Sequence, residues 1–280
     1  MKTRLVRALC AALAVFIGLS LTPAIADGGM ASYLPLSGSV VLLAGDSRSS
    51  TDYGFYGEML ESKSGCSALV EGASGMTAAY NASNEYFDRL AAHPHDFSIW
   101  LVGGNDEGGE GTIGTFSDSS ALALQGEPVV TQTDIGQDYS GETFIQAIDH
   151  IMRKYKAMYY DFRALSEERI PTMIFCTDLP QQRENESTVW SDPRSWERKR
   201  LAILECCEKN DVICLDLLRL CHFDMSFEPF FVPPTDREHN NGVYYMDGLH
   251  PNAYGMDIIT NLEIEVMSAY RRSRPASAFH

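Results

Sequence analysis

Two residues near the carboxyl end of the chain, Asp247 and His250, are spaced as a carboxylate and a base that it orients. They lie three positions apart in the segment MDGLHPN, residues 246–252. At a turn, this spacing lets the carboxylate accept the Nδ1 proton of the imidazole, so that the other ring nitrogen points outward as a base. The same spacing also occurs in ordinary hydrogen bonds at the start of a helix. The pair therefore indicates a catalytic site only if a nucleophile lies nearby.

Ser47 is the candidate for that nucleophile. It follows an apolar run in the segment SVVLLAGDSRSS, residues 39–50. A serine in this position can cap a helix after a buried strand, or it can attack a carbonyl carbon when a base takes its proton. The local sequence does not distinguish these two roles.

Two other segments carry groups that stabilise negative charge. Gly75 lies in EGASGMT, residues 71–77, and Asn105 lies in VGGND, residues 102–106. A backbone N–H that a glycine leaves open and a side-chain amide are both donors suited to an oxyanion. Each segment alone is also typical of an ordinary turn. Together with a hydroxyl and an oriented base, they complete a set of groups for acyl transfer.

The positions of these segments follow from the expected fold. Apolar runs typical of strands buried on both faces lie at 39–44, 66–71, 97–102, 172–176 and 212–217. Helix-like segments alternate with them at 53–63, 78–92, 141–168, 196–209 and 254–272. This alternation predicts an α/β fold, a three-layer αβα sandwich around a five-stranded parallel sheet. The carboxyl ends of parallel strands meet at one edge, so we expect Ser47, Gly75 and Asn105 to gather there.

Two segments interrupt the alternation. Residues 107–141 are rich in Gly, Ser, Thr and Asp, with a predicted hairpin around 122–131, and residues 219–246 are rich in aromatic residues and proline. Loops of this length inside a compact domain are usually functional or disordered. The acidic residues of 107–118 do not form a D-x-D-x-D-G calcium loop, so a solvated lid is the better interpretation.

Taken together, the four segments resemble the SGNH, or GDSL-type, serine esterases. The blocks are GDSRS, GASGMT, GGND and DGLHPN, in the order and with the wide spacing of that family. The resemblance spans nearly all of the chain after residue 26. It implies a flavodoxin-like sandwich with five parallel strands, a carboxylic ester hydrolase, and no cofactor.

The resemblance also implies a role for each site residue. Ser47 would be the nucleophile, His250 the base, and Asp247 the residue that orients it. The oxyanion hole would be formed by Gly75, Asn105 and the backbone N–H of Ser47.

Arg48 departs from the family, which often has leucine or another small or apolar residue at this position. Its cation has two interpretations. It anchors a carboxylate or a hydroxyl-rich substrate, or it pairs with a nearby aspartate such as Asp52. Structural pairing is the favoured interpretation.

The start of the chain is typical of a signal peptide. Positive charges come first, an apolar stretch covers 8–21, and the small-residue pattern AIA lies at 24–26. We therefore predict a signal peptide over 1–26, a single hydrolase domain over 27–280, and a secreted protein without stable membrane insertion.

Charge and cysteine content limit the partners of the chain. The net charge of −16 and the lack of a basic stripe argue against binding to nucleic acid or to an anionic membrane. Six cysteines follow residue 26, without the paired C-x-x-C spacing of a zinc site, so we predict no metal. The cysteine content is compatible with one disulfide bond or with none.

The sequence thus favours a secreted serine esterase acting on O-acyl esters, with O-acetyl esters of an extracellular or cell-wall glycan as the expected substrate. A lipase or thioesterase for longer acyl chains is the nearest alternative. Two further alternatives are an acyltransferase that uses the same residues and a glycan-binding protein without activity. A binding protein has no use for a matched base and orienting carboxylate, which argues against the last.

Overall fold

The computed structural model describes residues 34–53, 56–108, 110–114, 143–161, 171–181, 192–228 and 242–273. The chain divides into two units, Met1–Tyr33 and Leu34–His280, and every described residue belongs to the second. The predicted signal peptide and the predicted hairpin around 122–131 lie outside the described residues.

The described strands form one parallel sheet of five strands. They are β1 (Val40–Gly45), β2 (Ser67–Val70), β3 (Phe97–Leu101), β4 (Thr172–Cys176) and β5 (Ile213–Leu215). Their order across the sheet is β2-β1-β3-β4-β5, and each neighbouring pair is parallel. All five predicted strands are therefore confirmed, with bounds that differ by no more than two residues.

The α-helices are α1 (Tyr56–Ser64), α2 (Ala78–Asn81), α3 (Asn84–Ala91), α4 (Glu110–Ile113), α5 (Phe144–Lys156), α6 (Pro193–Asn210), α7 (Leu217–Leu220) and α8 (Ala253–Ser273). Short 3-10 turns cover Ser47–Ser49, Thr51–Tyr53 and Met225–Phe227, and a π-helical turn, Ala157–Asp161, extends α5. These bounds refer to the described part of the chain.

Successive residues of each strand point to opposite faces of the sheet, and each face packs against its own helices. Leu42 and Ala44 pack with residues of α2, α3, α5 and α6. Val41 and Leu43 pack with residues of α1, α7 and α8. Both sets of strand residues are fully buried. The expected αβα sandwich is therefore confirmed.

All five predicted helices differ in their bounds from the observed ones, and two of them differ most. The segment predicted as one helix over 78–92 is two helices, because Ser83 starts the second one: its hydroxyl accepts a hydrogen bond from the N–H of Tyr86. The helix predicted over 141–168 begins at Phe144, where the side chain of Gln146 accepts the N–H of the preceding Thr143 at 2.9 Å. Residues 162–168 lie outside the described residues.

The cysteines that follow residue 26 are all free thiols in this structure. Five are buried and Cys214 is partly exposed. Several lie in the two apolar layers beside the sheet, where cysteine behaves as a small apolar residue. Across the described helices, none combines the length and the apolar character needed to span a bilayer.

Candidate active site

The register of the strands brings the candidate segments to one edge of the sheet. Gly45 at the end of β1 pairs with Leu101 at the end of β3, and Leu101 pairs with Cys176 at the end of β4. The segments that follow these strands therefore leave the sheet side by side. This is the edge at which Ser47 and Asn105 were expected.

The structure brings Ser47, His250 and Asp247 into one line of hydrogen bonds. Ser47 Oγ lies 2.9 Å from His250 Nε2, although the two residues are 203 positions apart. His250 Nδ1 lies 2.7 Å from Asp247 Oδ2 on the other side of the ring. All three residues are buried, with 5%, 2% and 0% of their surfaces exposed. Bulk water therefore competes little with these bonds.

The Asp247 carboxylate is held in its charged form. Burial by itself would raise the pKa of Asp247, but hydrogen bonds and the charge of His250 outweigh that effect and lower it. The backbone N–H groups of Leu249 and His250 also donate to Oδ1, at 3.1 and 2.7 Å. The backbone of its own turn thus holds one oxygen of the carboxylate, and the other oxygen bonds to the imidazole.

The loop that carries His250 is anchored on both sides. The hydroxyl of Tyr245 donates to the carbonyl of Pro180, just beyond β4, at 2.7 Å. The carboxylate of Glu228 accepts the N–H groups of Tyr244 and Tyr245 at 2.9 and 3.0 Å. These bonds connect the loop to the sheet and to the segment that follows α7. The position of the imidazole therefore depends on contacts distant in sequence.

Two glycines in the second block have different environments. A side chain at Gly72 would clash with the backbone of Ser49, so this glycine permits close packing of two loops. Gly75 is exposed and has a φ of 77°. A Cβ added at this position would have no other atom of the described chain within 4 Å apart from its chain neighbours. Its N–H has no hydrogen-bond acceptor in the described part of the chain. Of the two, Gly75 has the environment of an oxyanion donor.

The other two candidate donors also lie at this edge. The Asn105 amide donates to the carbonyl of Met76, next to Gly75, at 3.0 Å. The backbone N–H of Ser47 finds no acceptor among the described residues.

Backbone and side-chain bonds connect the first block to the second and third. The N–H of Ala73 donates to the carbonyl of Gly45 at 3.1 Å. The N–H of Gly104 donates to Asp46 Oδ2 at 2.9 Å. Because Ser47 follows Asp46 directly, the segments of Gly75 and Asn105 are both attached next to the candidate nucleophile.

Arg48 pairs with carboxylates, as favoured from the sequence, but the suggestion of Asp52 is wrong. Its guanidinium donates to Asp46 from Nε at 2.9 Å and from Nη2 at 2.6 Å, and its Nη1 bonds to Asp178. Asp52 accepts a hydrogen bond from Ser74 at 2.5 Å instead. The Asp46 carboxylate also accepts the backbone N–H of Arg48 at the start of its turn, which places it within reach of the guanidinium, whereas Asp52 lies on the next turn.

Sequence reasoning missed Asp178 and Lys199, which lie beneath the site. Asp178 follows β4 by two residues, so the rule that functional groups follow strand ends is a signal for it. Lys199 lies on α6, which resembles any charged amphipathic helix in sequence, and carries no such signal. Burial alone would raise the pKa of Asp178, but Arg48 and Lys199 lower it.

The aromatic residues of 219–246 and their neighbours lie in two environments. Trp196 and Tyr245 are buried. Phe223 stacks on Tyr244 at 4.6 Å between ring centroids, and Tyr244 stacks on Tyr254 at 5.9 Å. The rings of Trp190, Phe227, Phe230 and Phe231 lie outside the described residues. In the described ranges, no three or more His, Cys, Asp or Glu side chains are grouped to hold a metal ion.

Solved structures share this fold. A protein from Lactobacillus plantarum is 17% identical, with a TM-score of 0.57 over 84% of this chain and 98% of that chain. A protein described as a possible lipase from Chitinophaga pinensis is 15% identical, with a TM-score of 0.56 over 83% and 98%. The likeness at these identities concerns the fold. A comparison with protein-family models finds no match, and a comparison with curated protein sequences finds none either.

Proposed function

We propose that the protein is a serine-type carboxylic ester hydrolase. The observation that carries the proposal is the contact of Ser47 Oγ with His250 Nε2 at 2.9 Å, with Asp247 on the other ring nitrogen. A hydroxyl, an imidazole and a carboxylate in this order form the arrangement that activates a serine. The similar fold of the possible lipase from Chitinophaga pinensis agrees with such an activity.

The proposed reaction has two halves. His250 takes the proton of Ser47 as Oγ attacks the ester carbonyl carbon, and negative charge develops on the carbonyl oxygen. The N–H groups of Ser47 and Gly75 and the Asn105 amide stabilise that charge. His250 then protonates the leaving alcohol and an acyl-serine remains. Water, deprotonated by His250, releases the acid and restores the hydroxyl.

For the substrate we propose an O-acetyl ester of an extracellular or cell-wall glycan, met by an exported enzyme. The stack of Phe223, Tyr244 and Tyr254 supports this choice. It ends on Tyr254, which is 56% exposed and lies four residues beyond His250. An exposed aromatic ring this close in sequence to His250 offers an apolar face on which a sugar ring can pack.

Labelling with a fluorophosphonate probe tests the nucleophile. The probe should label the wild-type protein and should not label Ser47→Ala, which should also lose ester hydrolysis. Ser62→Ala is the matched control, because Ser62 is an exposed serine on α1 whose hydroxyl donates to the carbonyl of Met59. If Ser47→Ala kept its activity on p-nitrophenyl acetate, the proposal would be wrong. A wild-type protein that did not react would favour a glycan-binding protein without activity.

An acyl-length series tests the substrate class. We expect kcat/KM to be higher on p-nitrophenyl acetate than on the octanoyl ester, whereas a lipase or thioesterase should show the reverse order. With an acetylated oligosaccharide, Tyr254→Ala should raise KM and leave hydrolysis of p-nitrophenyl acetate unchanged. Val243→Ala is the control for surface truncation, since Val243 is 49% exposed in the loop that precedes α8. An equal loss in both variants would contradict the sugar-stacking role.

A further inference from the structure

Four charged side chains form an alternating chain of ion pairs beneath the candidate active site. Asp46 pairs with Arg48, Arg48 with Asp178, and Asp178 with Lys199. All four side chains have no exposed surface. We name this set the buried charge chain. Two positive and two negative groups balance each other, which is the condition under which charges are tolerated in an interior.

Both ends of the buried charge chain hold the backbone that precedes Asn105. At one end, Asp46 Oδ2 accepts the N–H of Gly104 at 2.9 Å. At the other end, Lys199 Nζ donates to the carbonyl of Gly103 at 2.8 Å. The loop that carries the Asn105 amide is therefore fixed by a donor and an acceptor on two consecutive residues.

Arg48, in the middle of the chain, supports the same loop by direct contact. A Cβ at Gly104 would lie 2.8 Å from the guanidinium carbon of Arg48, so the loop backbone rests on the guanidinium. The backbone N–H of Arg48 also donates to Asp46 Oδ1 at 3.0 Å. One carboxylate thereby fixes both the turn that follows Ser47 and the loop that precedes Asn105.

These contacts exclude the alternative that Arg48 anchors a substrate. Its side chain has no exposed surface, and Nε, Nη1 and Nη2 all donate to Asp46 or Asp178. A carboxylate or hydroxyl of a substrate has no route to this guanidinium without displacing a buried partner.

We infer that Arg48 is a positioning residue, which holds Asp46 beneath Gly104 and so places the Asn105 amide relative to the Ser47 hydroxyl. This inference rests on the proposed esterase function and assigns to that site a residue outside the set of Ser47, His250 and Asp247. An oxyanion donor contributes only when it lies close to the developing charge. The rigid support of the loop is therefore part of what makes Asn105 effective.

A double-mutant cycle tests the inference. Arg48→Lys keeps one charge but loses the fork on Asp46, because an ammonium group is a point donor. We expect it to lower kcat by roughly 10-fold to 10²-fold with little change in KM, since an oxyanion interaction forms only in the transition state. In an Asn105→Ala background, the same substitution should lower kcat by less than about threefold. A purely structural role of Arg48 would make the two effects multiply.

Two further variants keep the test decisive. Arg48→Met combined with Asp178→Asn removes one charge of each sign. This double variant replaces Arg48→Lys in the test if circular dichroism shows that Arg48→Lys does not fold. Arg200→Lys is the matched control, because Arg200 forms a similar fork on Asp216, from Nε to Oδ1 at 2.9 Å and from Nη2 to Oδ2 at 2.6 Å, and its hydrogen bonds among the described residues go to Asp216 and Glu197 rather than to the Asn105 loop. Its kcat should equal that of the wild-type protein.

The outcomes separate this inference from the proposed function. Failure of the probe to label Ser47, with full activity of Ser47→Ala, overturns the proposed function and the inference with it. A wild-type protein that is labelled, with Arg48→Lys fully active or with multiplicative effects in the cycle, overturns the inference alone. Loss of kcat in Arg48→Lys that disappears in the Asn105→Ala background supports it.

Discussion

The hydroxyl of Tyr56 on α1 donates a hydrogen bond to the carboxyl group of Glu263 on α8, inside the apolar layer that joins these helices to the sheet. Glu263 is fully buried, and within the described part of the chain its Oε2 has no hydrogen-bond partner. Burial raises the pKa of Glu263 to about 8, more than the Tyr56 bond lowers it. A carboxyl group that stays protonated near neutral pH thus joins the two helices.

This relationship predicts a stability that depends on pH. The unfolded chain releases the Glu263 proton near pH 4.5 and the folded chain near pH 8, so folding retains a proton between these values. The free energy of unfolding should therefore fall with rising pH across this window, by up to about 1.4 kcal/mol per pH unit from this group. Glu263→Gln should remove that dependence and gain stability relative to wild type as pH rises.

Urea unfolding of both proteins between pH 5 and pH 8 measures the effect. Glu265→Gln is the control, because Glu265 lies on the same helix but is exposed. Parallel pH curves for wild type and Glu263→Gln would contradict the prediction.

Asn105→Ala should reduce turnover without unfolding the protein. Removal of one oxyanion donor costs roughly 10²–10³ in kcat. Initial rates on p-nitrophenyl acetate measure the loss. Asn261→Ala removes an exposed asparagine that bonds to Lys63 on the surface, and should leave the rates unchanged. An Asn105→Ala rate within threefold of wild type would exclude the amide from the reaction.

If His250 is the base, as proposed, the rate of ester hydrolysis should rise with pH, because only a neutral imidazole can take the Ser47 proton. Asp247, whose pKa is lowered, stays charged throughout and adds no second rise. Asp247→Asn should lower kcat by roughly 10⁴, the effect that loss of the orienting carboxylate has in serine proteases. A rate that stays flat from pH 5 to 8 would argue strongly against His250 as the base.

A second group complicates that profile and can be removed. The carboxyl of Asp106 accepts the N–H of Ala78, yet burial of the carboxyl raises the pKa of Asp106 to about 7. Because Asp106 is next to Asn105, a change in the charge of Asp106 would also change the electrostatics of the candidate site. The rise in rate should persist in Asp106→Asn if His250 causes it. Disappearance of the rise in that variant would assign it to Asp106.

The break between α2 and α3 predicts a cap whose loss destabilises the fold. Ser83→Ala removes the hydroxyl that accepts the N–H of Tyr86, at a cost of about 1 kcal/mol. The urea midpoint measures it. Ser62→Ala, on the exposed side of α1, should change stability by less than about 0.5 kcal/mol. Equal midpoints for all three proteins would show that Ser83 does not act as a cap.

Much of the fold is predictable from local patterns. A run such as Val41 to Ala44 is apolar at each position because both faces of its strand are covered, and that signal does not depend on distant residues. Helix bounds were less certain. A serine at position 83 is compatible with a helix interior or with a cap. In the structure Ser83 caps the helix by accepting the N–H of Tyr86, whose ring packs against Trp100.

The candidate site was predictable to the extent that it follows strand ends. Ser47 lies two residues beyond the end of β1 and Asn105 four residues beyond the end of β3, and parallel strands end at one edge. Lys199 was not predictable, since a lysine on a charged helix has many possible partners and only the packing of α6 against the loop selects Asp178 and Gly103.

The amino-acid sequence by itself determined which chemical groups are present and which edge of the sheet receives them. It also indicated that Arg48 would pair with a carboxylate. Only the tertiary structure decided that the partners are Asp46 and Asp178 rather than Asp52. The physical reason is that the strength of an ion pair depends on the distance between its charges and on their removal from water. For Arg48 and Asp178, which are 130 positions apart, only tertiary packing determines that distance and that burial.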